Sequence, residues 1–133
     1  MNVVFDTNVM ISSTLFDNSL AKKLLVKLVE NDIIIFYSNE IILEYLDVLK
    51  KDFHFDQEIY STYLDEILSF ANLVRVLERF KIIKEDPDDN KVLECALASN
   101  SEYIISYDKH LLKLKKFNNI KIISPVEAFK ILK

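Results

Sequence analysis

The sequence contains no glycine among its 133 residues. Phosphate-binding loops of the Walker type or the dinucleotide-binding type need glycine, because only glycine lets the backbone approach the phosphate closely. Both of these nucleotide-binding classes are therefore excluded. The chain must also build its turns from other residues, and Asn31–Asp32 and Asn118–Asn119 are the predicted turns.

Cysteine and long apolar runs are scarce as well. Cys95 is the only cysteine, so no intramolecular disulfide can form, and its apolar neighbours predict a core residue rather than a nucleophile. We therefore expect a reduced, cytoplasmic setting. No apolar run approaches the roughly 18–20 residues that span a bilayer. The N-terminus "MNVVFDTN" does not resemble a signal peptide, so no membrane association is expected.

Positive charge is not in excess, since the net charge is −4 at pH 7. This balance argues against non-specific coating of DNA, but not against a nucleic-acid enzyme whose own metal ions neutralise phosphates. The segment "KHLLKLKKF" (109–117) is locally basic. Either its lysines bind RNA phosphates at the edge of a cleft or they form an ordinary solvated helix face. These lysines are Lys109, Lys113, Lys115 and Lys116.

Short apolar, β-rich segments alternate with helical patterns along the chain. Half of the residues are hydrophobic, which is enough for the core of a single domain over residues 1–133. Strand–helix alternation with continuous apolar strands predicts an α/β fold in which helices cover a mostly parallel sheet. The predicted strands are 2–5, 33–37, 73–77, 103–106 and 120–123. The predicted helices are 19–31, 38–51, 56–71, 89–99 and 125–133.

Two acids come directly after predicted strands. Asp6 follows "NVVF", and Asp108 follows "YIIS" after one intervening tyrosine. In an open α/β sheet the carboxyl ends of the strands form one edge, and ligands bind outside that edge. Each acid has a plainer alternative role, because an aspartate in this position also caps the helix that follows.

Other acids lie in helical segments or just before them. Glu44 is surrounded by apolar residues in the helix predicted at 38–51, and the cluster "DPDDN" (86–90) precedes another helix. A helix cap accounts for one acid of this cluster but not for three. Carboxylates that converge on one edge repel by a few kcal/mol per close pair at an effective dielectric constant of about 20. A divalent cation would neutralise them, and oxygen ligands without histidine or cysteine favour Mg²⁺ or Mn²⁺.

Four segments in this order resemble the PIN-domain ribonucleases, especially the small stand-alone members classed as toxins of toxin–antitoxin pairs. They are "VVFDTNVMIS", "SNEIILEYLDVLKK", "DPDDNKVLECALAS" and "YIISYDKHLLKL", and "IKIISPVEAFKIL" closes the chain as in that family. The resemblance covers essentially the whole chain. It implies a single PIN-like domain, a three-layer α/β/α sandwich whose central parallel sheet has five strands in the order 3-2-1-4-5.

The resemblance also implies a catalytic, metal-binding site of four acids, with polar residues that support them. The acids are Asp6, Glu44, Asp89 and Asp108, and the supporting residues are Asn8, Ser106, Asp88 and Asn90. Asp88, Asp89 and Asn90 compete for one position of the motif. We choose Asp89, with Asp86 as a more distant alternative.

The implied reaction is hydrolysis of RNA phosphodiesters with Mg²⁺ or Mn²⁺, with Lys109 and Lys113 as candidate substrate contacts. The implied partners are an RNA substrate, an antitoxin protein and a second copy of the chain. One alternative is a Mg²⁺-dependent phosphatase or phosphoacceptor domain with Asp6 as nucleophile. A phosphatase of this type needs a second acid where the chain has Asn8. Another alternative is a non-catalytic PIN-like binding module, against which the retained acids argue.

Overall fold

The structure is a computed structural model and describes residues 1–77 and 90–132. Within these ranges the chain forms six strands and seven helices. The strands are β1 (Asn2–Phe5), β2 (Ile34–Tyr37), β3 (Ala71–Leu73), β4 (Tyr103–Ile105), β5 (Lys116–Phe117) and β6 (Ile120–Ile123). The helices are α1 (Thr7–Leu15), α2 (Leu20–Glu30), α3 (Asn39–Lys51), α4 (Gln57–Phe70), α5 (Asn90–Ala98), α6 (Lys109–Leu114) and α7 (Pro125–Ile131).

The strands form one mostly parallel sheet in the order β3-β2-β1-β4-β6-β5. The predicted α/β class is confirmed, and the predicted order 3-2-1-4-5 is present as β3, β2, β1, β4 and β6. The predicted number of five strands is wrong, because β5 adds a sixth, antiparallel strand at one edge. This strand exists because the predicted turn at Asn118–Asn119 folds the chain back, so that Phe117 pairs with Ile120.

The third strand lies earlier in the chain than the predicted range 73–77. Helix α4 ends at Phe70 and the chain enters β3 at once, with Ala71 paired to Ile35 and Leu73 to Tyr37. The neighbouring strand β2 ends at Tyr37, so residues after Leu73 have almost no strand beside them to pair with. The position of the partner strand, rather than β propensity, therefore sets the end of β3.

Turns are made without glycine, as the composition requires. Five described residues have a positive φ: Asp32, His54, Asn100, Lys115 and Asn118. Asn and Asp tolerate this left-handed conformation better than most residues, because their short side chains bond locally. Asp32 and Asn118 lie in the two turns that the sequence predicted, which confirms both.

Helices cover both faces of the sheet. Val3, Val4 and Phe5 in β1 are all fully buried. Consecutive strand residues point to opposite faces, so both faces must be packed. Helix α5 packs against β1 and β4, and α1 packs against β1 as well as against α2 and α3. The three-layer arrangement follows from this burial.

Side chains cap the N-termini of α3 and α4. Ser38 accepts a hydrogen bond from Ile41 N at the start of α3, and Asp56 accepts one from Ile59 N at the start of α4. Cys95 is fully buried, and burial raises the pKa of its thiol to about 12, as expected of a core residue. No helix in the described part of the chain is long and apolar enough to cross a membrane.

Candidate active site

The carboxyl ends of β1 and β4 meet where the strand order reverses, because β2 and β3 lie on one side of β1 and β4, β6 and β5 lie on the other. Asp6 follows β1, and its backbone N donates to Ile105 O at 3.0 Å. Ser106 follows β4, and its Oγ donates to Asp6 Oδ2 at 2.7 Å. Ligands of open α/β sheets bind outside the strand ends at such a switch point. Two of the predicted site residues are therefore in direct contact at that point.

Asp6 is a buried carboxylate, and each of its two oxygens accepts a hydrogen bond. It is 7% exposed. Its Oδ1 accepts a hydrogen bond from Thr7 N at 2.7 Å, which makes it the N-cap of α1. Burial raises the pKa of Asp6, and the hydrogen bonds from Ser106 and Thr7 act in the opposite direction. The negative charges of Glu44 and Asp108 raise this pKa further, so each of these two carboxylates interacts electrostatically with Asp6.

Asp108 lies beside this pair and is oriented by the same serine. Its backbone N donates to Ser106 Oγ at 2.9 Å, while that hydroxyl donates to Asp6. The Asp108 carboxylate caps α6, accepting hydrogen bonds from His110 N at 2.7 Å and from Leu111 N at 3.4 Å. Ser106 is fully buried. One hydroxyl thus links the two acids that follow β1 and β4.

Glu44 approaches this edge from helix α3. Its neighbour Tyr45 is fully buried and shares a hydrogen bond of 2.8 Å with Thr14 Oγ1, which fixes α3 against α1. Burial raises the pKa of Tyr45 to about 12, so this phenol stays protonated at physiological pH. The Glu44 carboxylate itself forms an ion pair with Lys91, whose Nζ lies 3.1 Å from Glu44 Oε2.

The Glu44–Lys91 pair lies in an open groove of about 740 Å³. The groove is lined by acidic, basic and apolar side chains of α3 together with Lys91 of α5. They are Glu40, Leu43, Glu44, Leu46, Asp47, Val48, Lys50 and Lys91. This groove includes Glu44 of the candidate site and has room for an extended ligand.

The predicted fourth acid lies outside the described residues. Asp86, Asp88 and Asp89 all fall there, so their roles stay predictions. Asn90, the remaining candidate of that motif, is the first residue of α5 and is buried. Helix α5 packs against β1, the strand that Asp6 follows.

The other predicted residues are more exposed. Asn8 lies in the first turn of α1 with its side chain exposed. Lys109 and Lys113 are exposed on α6, directly after Asp108. Their positions suit both interpretations from the sequence, phosphate contact and solvated helix face.

Two charged residues of α5, Lys91 and Glu94, were not among the residues predicted for the site. Lys91 pairs with Glu44 across 47 positions of sequence, and nothing in the local pattern indicates such a partner. Glu94 is buried one helical turn after Asn90. A signal for Glu94 was present, since it is an acid within the apolar run "VLECALA".

The donor set suits a hard cation, but the described residues alone do not complete a metal site. Asp6, Glu44 and Asp108 supply carboxylate oxygens, which Mg²⁺ and Mn²⁺ prefer. Within residues 1–77 and 90–132, no three Asp, Glu, His or Cys side chains lie close enough together to hold a metal ion. A positive charge is nevertheless already held at one of the acids, by the Lys91 ammonium.

Comparison with known proteins identifies the family. Residues 2–110 match the family model of the PIN domain, which is most of the chain, so the protein belongs to the PIN-domain family. Members of this family are generally nucleases, and PIN-domain nucleases generally use divalent metals. No curated protein sequence is similar enough to the chain to count as a match.

Two solved structures share the fold at low sequence identity. One is VapBC2 from Rickettsia felis bound to a DNA fragment from its promoter, with a TM-score of 0.68 and 17% identity. That match covers 93% of this chain and 98% of the other. The second is PAE2754 from Pyrobaculum aerophilum, with a TM-score of 0.62, 14% identity and coverage of 98% and 90%. At these identities the likeness concerns the fold alone.

Proposed function

We propose that this protein is a metal-dependent endoribonuclease that hydrolyses phosphodiester bonds in RNA. The observation that carries the proposal is the position of Asp6, a buried carboxylate at the switch point of the sheet that interacts with Asp108 and Glu44. A buried acid surrounded by further acids is costly unless a cation compensates it. Membership of the PIN-domain family supports the assignment as a nuclease, and the interacting acids support the binding of a metal ion.

Mg²⁺ or Mn²⁺ fits these residues by the chemistry of the donors. Asp6, Glu44 and Asp108 would hold the ion, and Asp89 would complete the set as the sequence predicts. Each oxygen of Asp6 accepts one hydrogen bond from a described residue, and a carboxylate oxygen has two lone pairs, so each can still reach a cation. When bound, the ion lowers the pKa of a coordinated water and stabilises charge on the leaving oxygen.

The chain's own residues orient the reaction. Ser106 holds the Asp6 carboxylate from one side, and the N-terminus of α1 holds it from the other, so its direction is fixed before substrate arrives. Such orientation by outer hydrogen bonds sustains both metal affinity and rate. Lys109 and Lys113 extend from α6 next to Asp108 and would bind the flanking phosphates of the RNA.

We further propose that the protein is the toxin of a toxin–antitoxin pair, acts in the cytoplasm and forms a homodimer. The support is the resemblance of its motifs to stand-alone PIN-domain toxins and the shared fold with VapBC2 of Rickettsia felis. A small DNA-binding antitoxin encoded beside this protein would support the pairing.

A phosphatase or phosphoacceptor function is the second candidate, because Asp6 ends β1 where a nucleophilic aspartate would lie. The position for the second acid of such a phosphatase is held by Asn8, which is exposed and cannot serve as a general acid. A non-catalytic binding module is the third candidate. The retained acids Asp6, Glu44 and Asp108 argue against it.

The test is cleavage of end-labelled single-stranded RNA by pure protein with Mn²⁺, Mg²⁺ or EDTA. The proposal expects metal-dependent fragments that carry a 5′-phosphate and a 3′-hydroxyl. A phosphomonoester substrate is assayed in parallel. Phosphate release from it, with an acid-labile phosphoenzyme and intact RNA, would establish the phosphatase instead. Metal binding without either reaction would leave the binding module as the function.

A further inference from the structure

The ion pair between Lys91 and Glu44 joins two helices at the acidic edge of the sheet. Glu44 lies in the middle of α3, and Lys91 is the second residue of α5. The Nζ and Oε2 atoms are 3.1 Å apart, and the two side chains are 31% and 29% exposed. The pair is therefore partly withdrawn from water. A charge interaction in such a position is screened less than one on an open surface.

Glu44, with which Lys91 forms this ion pair, is itself one of the proposed metal ligands. The charge of Glu44 acts on Asp6, as its effect on the pKa of that residue shows. The Lys91 ammonium thus provides a positive charge close to carboxylates that otherwise repel one another. A divalent cation that approaches Glu44 meets this ammonium, and two cations beside one carboxylate repel each other.

We propose that Lys91 is a resident cation that neutralises Glu44 until a divalent ion takes its place. This inference rests on the proposed function, because it treats Glu44 as a metal ligand. The positive charge of Lys91 then has two effects. It stabilises the metal-free site, and it weakens divalent binding, so that the site fills only when the divalent ion outcompetes the tethered ammonium.

The first measurement is the affinity for Mn²⁺ by calorimetry, with Lys91→Met as the test variant. Methionine keeps an unbranched chain of similar length and removes the charge. We expect binding about three- to tenfold tighter than in the wild type. Lys91→Arg keeps the charge and should restore the wild-type affinity. If Lys91 had only a structural role, Lys91→Met would instead leave the Mn²⁺ affinity unchanged or lower it.

Lys50→Met is the matched control. Lys50 lines the same groove as Lys91, but its Nζ lies 5.0 Å from the centre of the Tyr60 ring, and within residues 1–77 and 90–132 it forms no ion pair with an acid. The substitution removes one positive charge from the same surface. We expect it to change the Mn²⁺ affinity by less than about twofold.

The second measurement is thermal unfolding in EDTA and in Mn²⁺. Lys91→Met should unfold at a lower temperature than the wild type in EDTA, since Glu44 loses its counter-charge. Mn²⁺ should raise its unfolding temperature by more than it raises that of the wild type, because tighter binding to the native state stabilises it more. This readout does not depend on activity.

The outcomes separate this inference from the proposed function. Wild-type affinity in Lys91→Met, weaker binding there, or equal tightening in Lys50→Met would overturn the role of Lys91 while leaving the nuclease proposal intact. No Mn²⁺ binding by the wild type, or binding that survives Asp6→Asn unchanged, would overturn both.

Discussion

The Asp6 carboxylate acts both as a helix cap and as the centre of the candidate site. From the sequence these roles were alternatives, whereas the structure shows that they are compatible. One oxygen accepts from Thr7 N and the other from the Ser106 hydroxyl. A carboxylate offers about four lone-pair positions, so capping α1 does not prevent it from binding a ligand.

Ser106→Ala tests how this carboxylate is held. The hydroxyl lowers the pKa of Asp6 against the larger effect of burial, so its loss should raise that pKa further. An acid whose pKa is raised in the native state destabilises the fold at any pH at which it is ionised. This destabilisation disappears as the pH falls through the raised pKa towards 3.8, the ordinary pKa of aspartate. We expect Ser106→Ala to lose about 1–3 kcal/mol in free energy of unfolding at pH 7 in EDTA. The loss should shrink towards acid pH.

Ser101→Ala is the control for this measurement. Ser101 is also buried, but its hydroxyl shares a hydrogen bond of 2.6 Å with Ser99, which carries no charge. The free energy of unfolding that Ser101→Ala loses should therefore be the same at each pH. A loss in Ser106→Ala that is equally independent of pH in urea unfolding would contradict the proposed effect on Asp6.

At the residue scale the sequence predicted positions better than partners. Asp6 and Asp108 were predicted from their places after strands, and Ser106 was implied by the resemblance to PIN domains. In the structure the Ser106 hydroxyl contacts Asp6 Oδ2 and the backbone N of Asp108. Lys91 was missed, since its partner Glu44 lies on another helix and only the packing of α5 near α3 makes them neighbours. Long-range pairs of this kind leave no periodic signal in a single sequence.

At the scale of elements, strands buried on both faces were the easiest to predict. β1, β4 and β6 are short apolar runs in the chain and occupy the predicted ranges nearly unchanged. β3 was displaced because its pairing with β2 ends at Tyr37. β5 was missed because Lys116 and Phe117 lie in a basic segment, and only pairing with β6 makes them a strand.

Helix α6 carries the substrate prediction at this scale. The double variant Lys109→Ala, Lys113→Ala should raise KM for single-stranded RNA about three- to tenfold with little change in kcat, since both lysines lie outside the acids. The dependence of log affinity on log salt should flatten by about 1.4, because each lost phosphate contact contributes about 0.7 for single strands.

The matched control is the double variant Lys23→Ala, Lys130→Ala, which removes two exposed lysines from α2 and α7. The control should leave the salt dependence unchanged. If both double variants alter KM and salt dependence equally, the lysines of α6 have no special role and form only a solvated helix face.

At the scale of the whole molecule, the family is identified from the whole chain and its fold, whereas the proposed chemistry depends on a few side chains. The chain shares its fold with VapBC2 of Rickettsia felis and PAE2754 of Pyrobaculum aerophilum at 17% and 14% identity. A fold kept at such identity does not by itself preserve an activity. The proposed activity of this chain therefore depends on its own acids, and its net charge of −4 means that the proposed binding of RNA needs a cation all the more.

Mn²⁺-dependent RNA cleavage by the wild type, Asp6→Asn and Asp56→Asn tests most directly whether Asp6 is the centre of a nuclease site. Asp56 is an exposed N-cap that accepts from Ile59 N at 3.0 Å, so its variant makes the same chemical change to another helix cap. Asparagine also caps helices well, so both variants should fold.

We predict that Asp6→Asn loses about 100-fold or more in cleavage rate, because replacing even an outer partner of a metal ligand costs about 10- to 100-fold. Asp56→Asn should cleave like the wild type. Cleavage by Asp6→Asn at the rate of Asp56→Asn, with circular dichroism showing both folded, would contradict the account.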